Sequence, residues 1–370
     1  MRYRREDGCR AWLTCAAWQP EALARILARC GSAEAVYDRF MREGGAFLNE
    51  EANAQQLQLL RENASPEVIH ETMVVMRREN MGILSLEDFG YPDALRDIPD
   101  PPPLLFYRGD PDCLLGPCVT VIGSRRPSPA GMEAAERIAR ELSEAGVRVI
   151  SGLAMGIDGA AHRGCLAGGS PTVAVLGCGL DVNYPASHRG LKDEILDRGG
   201  LLLSEYPPGC PAMQWHFPVR NRIMSGLSRA VVLVEARIRS GSMSTVHHAL
   251  DQGREVYAYP GVVGTEWAEG AHQLLREGAN YFASAKDILE DLNLQEPRHQ
   301  PPVTERKETL PPLNDDQRIV YAALCRGGEQ SFDALAQATG LEPSALSSAL
   351  TMLQILGMIR ALPGKAYVRA

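Results

Sequence analysis

Between residues 118 and 282 the chain alternates between two hydrophobic textures. Short apolar runs of strand length, at 119–122, 147–150, 172–176, 201–203, 230–234 and 256–258, are made largely of Val, Ile, Leu and Ala. Between them apolar positions recur every three or four residues, at 132–142, 160–166, 191–196, 223–227 and 246–250. Near-continuous apolar strands separated by amphipathic helices predict βαβ units, hence a mainly parallel sheet with helices on both faces. The expected fold class is α/β, doubly wound and Rossmann-like.

The flanking segments read differently. Residues 1–75 are helical in pattern, with Leu23, Ile26 and Leu27, then Val36, Tyr37 and Phe40, on either side of Cys30-Gly31-Ser32. Such a pair is either a small packing unit or a SAM/helix-hairpin-helix-like module that touches a DNA backbone. Residues 76–294 form the Rossmann-like domain, and the triple proline at 101–103 marks a connection, since it fits neither a helix nor a central strand. Five prolines among polar residues make 295–312 a linker. Helical patterns at 319–324, 332–338 and 346–356, then two short strands around Pro363-Gly364, describe a winged helix-turn-helix over 313–370.

Composition narrows the function. A chain of 370 residues suits two or three domains, and 45% hydrophobic with 23% charged residues suits a globular one. The net charge of −8 excludes a globally basic nucleic-acid coat, so any phosphate partner must meet a local cation cluster. Apolar runs fall far short of the roughly 20 residues of a membrane helix, and the start of the chain does not lead into a secretory segment. A cytoplasmic location without a membrane partner is the expectation. The nine cysteines include no Cys-x-x-Cys and the eight histidines no His-Glu-x-x-His, so no metal site is expected.

Doubly wound sheets bind ligands in the loops that follow their strands. Four such loops carry phosphate-holding chemistry. The first, Gly123-Ser124-Arg125, combines a tight turn with amides, a hydroxyl and a cation. The second runs from Ser151-Gly152 to Asp158 and His162, an i, i+4 couple that is either an acid–base pair or a hydrogen-bonded helix start. The third, Trp215-His216-Phe217-Pro218-Val219-Arg220-Asn221-Arg222, puts aromatic rings beside arginines in a chain with only 6% aromatics. From 217 to 239 there are five arginines and one acid, Glu235. Ring faces plus cations suit single-stranded nucleic acid, although a cation–π and ion-pair cluster without a ligand has the same composition. The fourth, Arg239-Ser240-Gly241-Ser242, is an anion nest before a helix. No stretch satisfies Gly-x-Gly-x-x-Gly, and no cofactor is expected.

These motifs together resemble the DNA-processing protein A (DprA/Smf) family. Val-Ile-Gly-Ser-Arg at 121–125, Ser-Gly-Leu-Ala-Met-Gly-Ile-Asp-Gly-Ala-Ala-His at 151–162 and Leu-Gly-Cys-Gly-Leu-Asp-Val-Asn-Tyr-Pro at 176–185 carry the likeness. So do Ser-Glu-Tyr-Pro-Pro-Gly at 204–209, Phe-Pro-Val-Arg-Asn-Arg-Ile at 217–223, Glu-Ala followed by Ser-Gly-Ser within 235–242 and Tyr-Pro-Gly at 259–261, in order over about 170 residues. The resemblance implies a protein of natural transformation that binds and shields incoming single-stranded DNA and loads the RecA recombinase. It also implies a homodimer through the Rossmann domain, with single-strand-binding protein as a further partner. Family DNA contacts map onto Arg125, Phe217, Arg220, Asn221 and Arg222. Met155 stands where members often carry a cation, Ala186 and His188 depart from the Tyr-Pro motif, and Arg189 or Lys192 could supply the charge instead.

Three expectations follow. Arg125, Arg220 and Arg222 form one phosphate pocket with the glycines and serines of the loops, and Phe217 stacks on a base. The protein is not an enzyme; the alternative is a nucleoside monophosphate phosphoribohydrolase-like enzyme, of whose Pro-Gly-Gly-x-Gly-Thr-x-x-Glu loop Pro260-Gly261-Val262-Val263-Gly264-Thr265-Glu266 is a partial echo. The winged helix does not read duplex sequence, because residues 342–356 hold no Lys or Arg and acids balance bases over 313–370.

Overall fold

The computed structural model describes residues 3–88, 90–294, 314–327, 330–356, 358–362 and 366–369. The chain divides into two compact units, Met1–Pro297 and Arg298–Ala370.

The first unit is organised by a nine-stranded sheet. Its strands are β1 (Met81–Ser85), β2 (Leu104–Gly109), β3 (Cys118–Ile122), β4 (Arg148–Ser151), β5 (Val173–Val175), β6 (Leu201–Ser204), β7 (Ala230–Leu233), β8 (Glu255–Ala258) and β9 (Asn280–Tyr281). They lie in the order β1-β2-β6-β5-β4-β3-β7-β8-β9. Every pair from β6 across to β9 is parallel. β2 runs antiparallel to both β1 and β6. The fold is therefore doubly wound and mainly parallel, with an antiparallel edge. That edge is what the residue pattern missed. β1 and β2 flank the prolines at 101–103; they pair with each other, and β2 joins them to the sheet through β6.

Strands β3, β5, β6 and β7 are buried along their whole length, which is why they appear in the sequence as unbroken apolar runs. Alternate residues serve opposite faces. Val119, Val121, Val149 and Val232 pack with α7 (Pro129–Glu144), α8 (Ile157–Gly168) and α13 (Ala285–Asp291). Ile122, Ile150, Val231 and Leu233 pack with α10 (His216–Gly226), α11 (Ser242–Asp251) and α12 (Glu269–Arg276). Five helices, α1 (Arg5–Thr14), α2 (Pro20–Cys30), α3 (Ala33–Glu43), α4 (Ala54–Glu62) and α5 (Pro66–Arg78), precede the sheet. Gly31 ends α2 at a φ of 85°, where a Cβ would be strained, and Ser32 caps α3 by accepting from the Ala35 amide. The core of these helices does not stop at the sheet. One apolar cluster runs from Trp12 and Leu13 through Met76 and Met81 to Phe106 and Leu202.

The chain leaves β3 toward β4, β5 and β6 on one side and later returns to place β7 and β8 on the other. This reversal between β3 and β7 opens a crevice beyond their carboxyl ends, where Ile122 pairs with Leu233.

The second unit is a winged helix. Helices α14 (Asp315–Gly327), α15 (Phe332–Thr339) and α16 (Pro343–Ile355) enclose Val320, Leu335, Leu346, Leu350 and Leu353. Strands β10 (Gln330–Ser331), β11 (Ile359–Leu362) and β12 (Ala366–Arg369) pair in the order β10-β12-β11. β10 has only two residues, too few to leave a pattern, so the residues suggested two strands rather than three. The linker at 295–312 and the wing turn at 363–365 lie outside the described residues.

Candidate nucleic-acid interface

The aromatic–arginine motif is the first part of a helix rather than a loop, since α10 begins at His216. At about 100° per residue, Phe217, Arg220 and Asn221 share one face and Arg222 points away. That geometry decides the site. A cavity of about 530 Å³ lies at the crevice between β3 and β7, and its lining includes Ser124, Arg125, Phe217, Arg220, Arg239 and Ser242.

The Arg125 guanidinium lies 5.1 Å from the centroid of the Phe217 ring, and the Tyr184 ring packs 5.4 Å from the same ring. Arg125, Arg126, Arg237 and Arg239 are exposed along the rim. Arg237 pairs with Glu266. Arg220 is only 4% exposed. Its Nη1 donates to the Gly152 carbonyl at 3.1 Å, while its Nε has no partner in the protein. Burial pushes the Arg220 guanidinium down to about 10, against the pull of Asp158, so it stays charged at neutral pH. Asp158, at the start of α8, accepts the Gly152 N–H at 3.1 Å. Burial pushes its carboxyl upward, and Arg220 opposes that shift. Both groups are buried and both line the cavity.

The start of α11 supplies a second wall. Ser240 and Ser242 hydroxyls lie 2.7 Å apart, and the Ser242 amide donates to Ser240 Oγ at 3.3 Å. Asn221 holds this turn in place, donating to the Gly241 carbonyl at 3.3 Å and to Ser244 Oγ at 2.7 Å. Thr245, which was not among the expected DNA contacts, lines the cavity with a buried hydroxyl that has no protein partner. Its position, one turn into the helix behind Ser-Gly-Ser, was the available signal.

Several expected contacts are corrected. Arg222 is 1% exposed and faces away from the cavity. Its Nη1 and Nη2 reach the two Glu205 oxygens at 2.6 Å each, and its Nε reaches Asp100 Oδ2 at 2.8 Å. Burial works against this guanidinium, and Glu205 and Asp100 hold it above its ordinary range. Ser151 is buried and donates to the Val121 carbonyl at 2.7 Å, so it braces two strands. Gly152 shapes the floor: a Cβ there would sit 2.5 Å from the Arg220 guanidinium. Gly123 permits close approach, since a Cβ would meet the Glu235 carbonyl at 2.8 Å. The Ser124 amide donates to that carbonyl at 2.6 Å, and its hydroxyl accepts the Arg126 N–H at 3.1 Å, so the serine braces the turn that presents Arg125. Lys192 is buried and donates to the Val182 carbonyl at 2.8 Å, whereas Arg189 is exposed.

Asp158 and His162 do not pair in either of the expected ways. His162 Nδ1 bonds instead to Thr172 Oγ1 at 2.8 Å, and burial pushes the imidazole down to about 3, so it is neutral. An unfolded histidine takes a proton near its ordinary value of 6.5, whereas this one does not until about 3. Stability contributed by His162 is therefore complete above pH 6.5 and is lost as pH falls from 6.5 toward 3. The slope should approach about 1.4 kcal/mol per pH unit. Unfolding midpoints of wild type and His162→Gln across that window should converge in their acid dependence by this amount.

Among the described residues no cluster of His, Cys, Asp or Glu could hold a metal, and no helix is long and apolar enough to cross a membrane.

A doubly wound α/β sheet whose crevice gathers arginines, an aromatic ring and a serine-rich helix start defines a Rossmann-type protein with a cation-lined pocket, in a chain that also carries a winged helix. Residues 82–293 match the family model for DNA recombination-mediator protein A, and residues 304–365 match the DprA winged helix domain. The chain belongs to this DprA/Smf family. It is 45% identical to the DNA processing protein DprA of Streptococcus pneumoniae over 205 residues, 55% of this chain and 72% of that one. It is 36% identical to Protein Smf of Escherichia coli over 304 residues, 81% of this chain and 80% of that one. The X-ray structure of DprA from Streptococcus pneumoniae superposes with a TM-score of 0.61 at 33% identity, covering 79% of this chain and 99% of that one. A structure of DNA processing protein A from Helicobacter pylori, described for its single-stranded DNA binding mode, gives 0.51 at 30% identity, over 57% of this chain and 95% of that one.

Proposed function

We propose that the crevice between β3 and β7 holds single-stranded DNA, and that the protein shields incoming strands and loads the RecA recombinase in transformation and recombination. The observation that carries this reading is the gathering of Phe217, Arg125, Arg220 and Arg239 around one cavity. A base has a ring face in Phe217, and a phosphodiester has cations on either side of it. Two buried polar atoms of cavity-lining residues have no protein partner, Arg220 Nε and Thr245 Oγ1, and these are groups such a ligand would satisfy. The relative from Helicobacter pylori, described as binding single-stranded DNA, supports the assignment. The same reading assigns DNA holding to residues 76–294, a homodimer contact to that domain, and protein contacts with RecA and single-strand-binding protein to the molecule's other surfaces. It is a non-catalytic role: the neutral His162 turns to Thr172, and the partial phosphoribohydrolase-like loop has Ala268 where that motif carries its glutamate.

Anisotropy titrations with single- and double-stranded oligonucleotides, alongside a nucleotide hydrolysis assay, test the proposal. Preference for the single strand without hydrolysis is the expected result; equal binding or turnover rejects it. Phe217→Ala should weaken single-strand binding by about 1–3 kcal/mol. An unchanged affinity would leave the ring as packing alone.

The winged helix contributes little to this affinity. Along α16 the exposed residues include Ser344, Ser347, Ser348, Thr351 and Met352, with no cation to meet a phosphate. A chain ending at residue 312 should keep most of its single-strand affinity in the same titration. A large loss, or a duplex footprint by the isolated winged helix, would show that the domain binds DNA itself.

A further inference from the structure

Doubly wound sheets ordinarily offer a phosphate the N-terminus of the helix that follows the strand at the switch point. Here that strand is β3 and the helix is α7, and a side chain of the protein already sits there. Glu235, from the loop after β7, reaches across the crevice. Its Oε2 accepts the Ser128 N–H at 2.8 Å, and its Oε1 accepts the Ser128 hydroxyl at 2.6 Å. Ser128 in turn caps the helix by accepting the Gly131 N–H at 3.0 Å. The carboxyl lies so close over the first turn that a Cβ on Gly131 would sit 2.3 Å from Glu235 Cδ. Only 6% of Glu235 is exposed.

We propose that Glu235 is a built-in anion that denies this seat to phosphate and pyrophosphate. A carboxylate and a phosphate compete for the same helix-end donors, and a second anion would meet like charge at contact distance. The protein therefore refuses nucleoside diphosphates and dinucleotides in the ordinary Rossmann mode. The groups left to hold an anion are instead Arg125, Arg239 and the start of α11, which line the cavity, whereas Ser128 and Glu235 do not. This exclusion does not depend on single-stranded DNA being the ligand of the pocket.

The full chain carrying Glu235→Ala, which empties the seat, is compared with Glu235→Gln, whose amide keeps it filled. Thermal unfolding is followed in sodium phosphate and in sodium chloride at matched ionic strength, and then with inorganic pyrophosphate. E235A should be destabilised in chloride and recover most of its midpoint in phosphate. Its apparent phosphate affinity should exceed that of wild type by about tenfold, the worth of a charge at a partly buried helix end. Wild type and E235Q should respond alike, because any anion held by the arginines is common to all three. Adding Gly131→Ala to E235A refills the seat with a methyl group and should abolish the gain. An E235A chain no more responsive to phosphate than E235Q overturns the proposal. Should E235A not fold, the yield of E235S refolded in phosphate against chloride measures the same property, and equal yields overturn it.

Discussion

Arg222→Ala should cost the fold about 3–5 kcal/mol while leaving single-strand affinity of the folded protein unchanged. The guanidinium is 1% exposed and spans Glu205 and Asp100, so its removal strands acids it had neutralised. Glu205, 14% exposed at its side chain, accounts for most of that cost. Asp100, at 41%, is partly screened by water and contributes less. Urea unfolding gives the first quantity, and anisotropy on the folded variant gives the second. The pair Arg222→Met with Glu205→Gln should be much less damaging than Arg222→Ala, because the more buried of the two acids is no longer left as an unpaired charge. A folded Arg222 variant that no longer binds DNA would restore this residue to the pocket.

Arg220→Met should lower single-strand affinity by roughly tenfold to a hundredfold, the value of one charge-assisted contact of about 1.5–3 kcal/mol. Methionine keeps much of the volume at the floor of the cavity, and glutamate there would place a second buried acid beside Asp158. The substitution also removes the cation that opposes the upward shift of Asp158. A carboxyl raised in the folded state costs stability at high pH, and the cost falls as pH drops and the group protonates. The variant should therefore gain stability relative to wild type as pH is lowered. Arg125→Glu provides the comparison at the exposed rim. Its fold should be unaffected, while the dependence of affinity on salt should weaken by about one unit for the lost phosphate contact. Unchanged affinity in both variants would remove the arginine pocket from the DNA path.

Much of the α/β architecture was legible because buried parallel strands need both faces apolar. The runs at 119–122, 201–203 and 230–234 coincide closely with β3 (Cys118–Ile122), β6 (Leu201–Ser204) and β7 (Ala230–Leu233). The loops that follow β3 and β7 were legible as well, because glycine, serine and arginine at strand ends have few other uses. The antiparallel strands β1 and β2 were not, since β2 owes its place to β6, far along the chain, and β1 pairs only with β2. Nor was the start of α10. Its first turn mixes aromatic, proline and arginine residues on every side, and no amphipathic period emerges until Ile223.

Composition and order of residues alone determined the class of fold, the loops that follow β3 and β7 and the residue types that could hold a phosphate. Only the tertiary structure decided which of those residues share a cavity. Arg220 and Arg222 are two positions apart and chemically identical, yet helical geometry turns one to the crevice and the other to Glu205 and Asp100. Asp158 and His162 have the spacing of a pair, but Thr172, brought near by β5, takes the imidazole. Glu235 looked like the lone acid in a basic segment, until the reversal between β3 and β7 set it on the end of a helix a hundred residues earlier in the chain. Sequence supplies the functional groups, and long-range packing determines which of them face a ligand and which face one another.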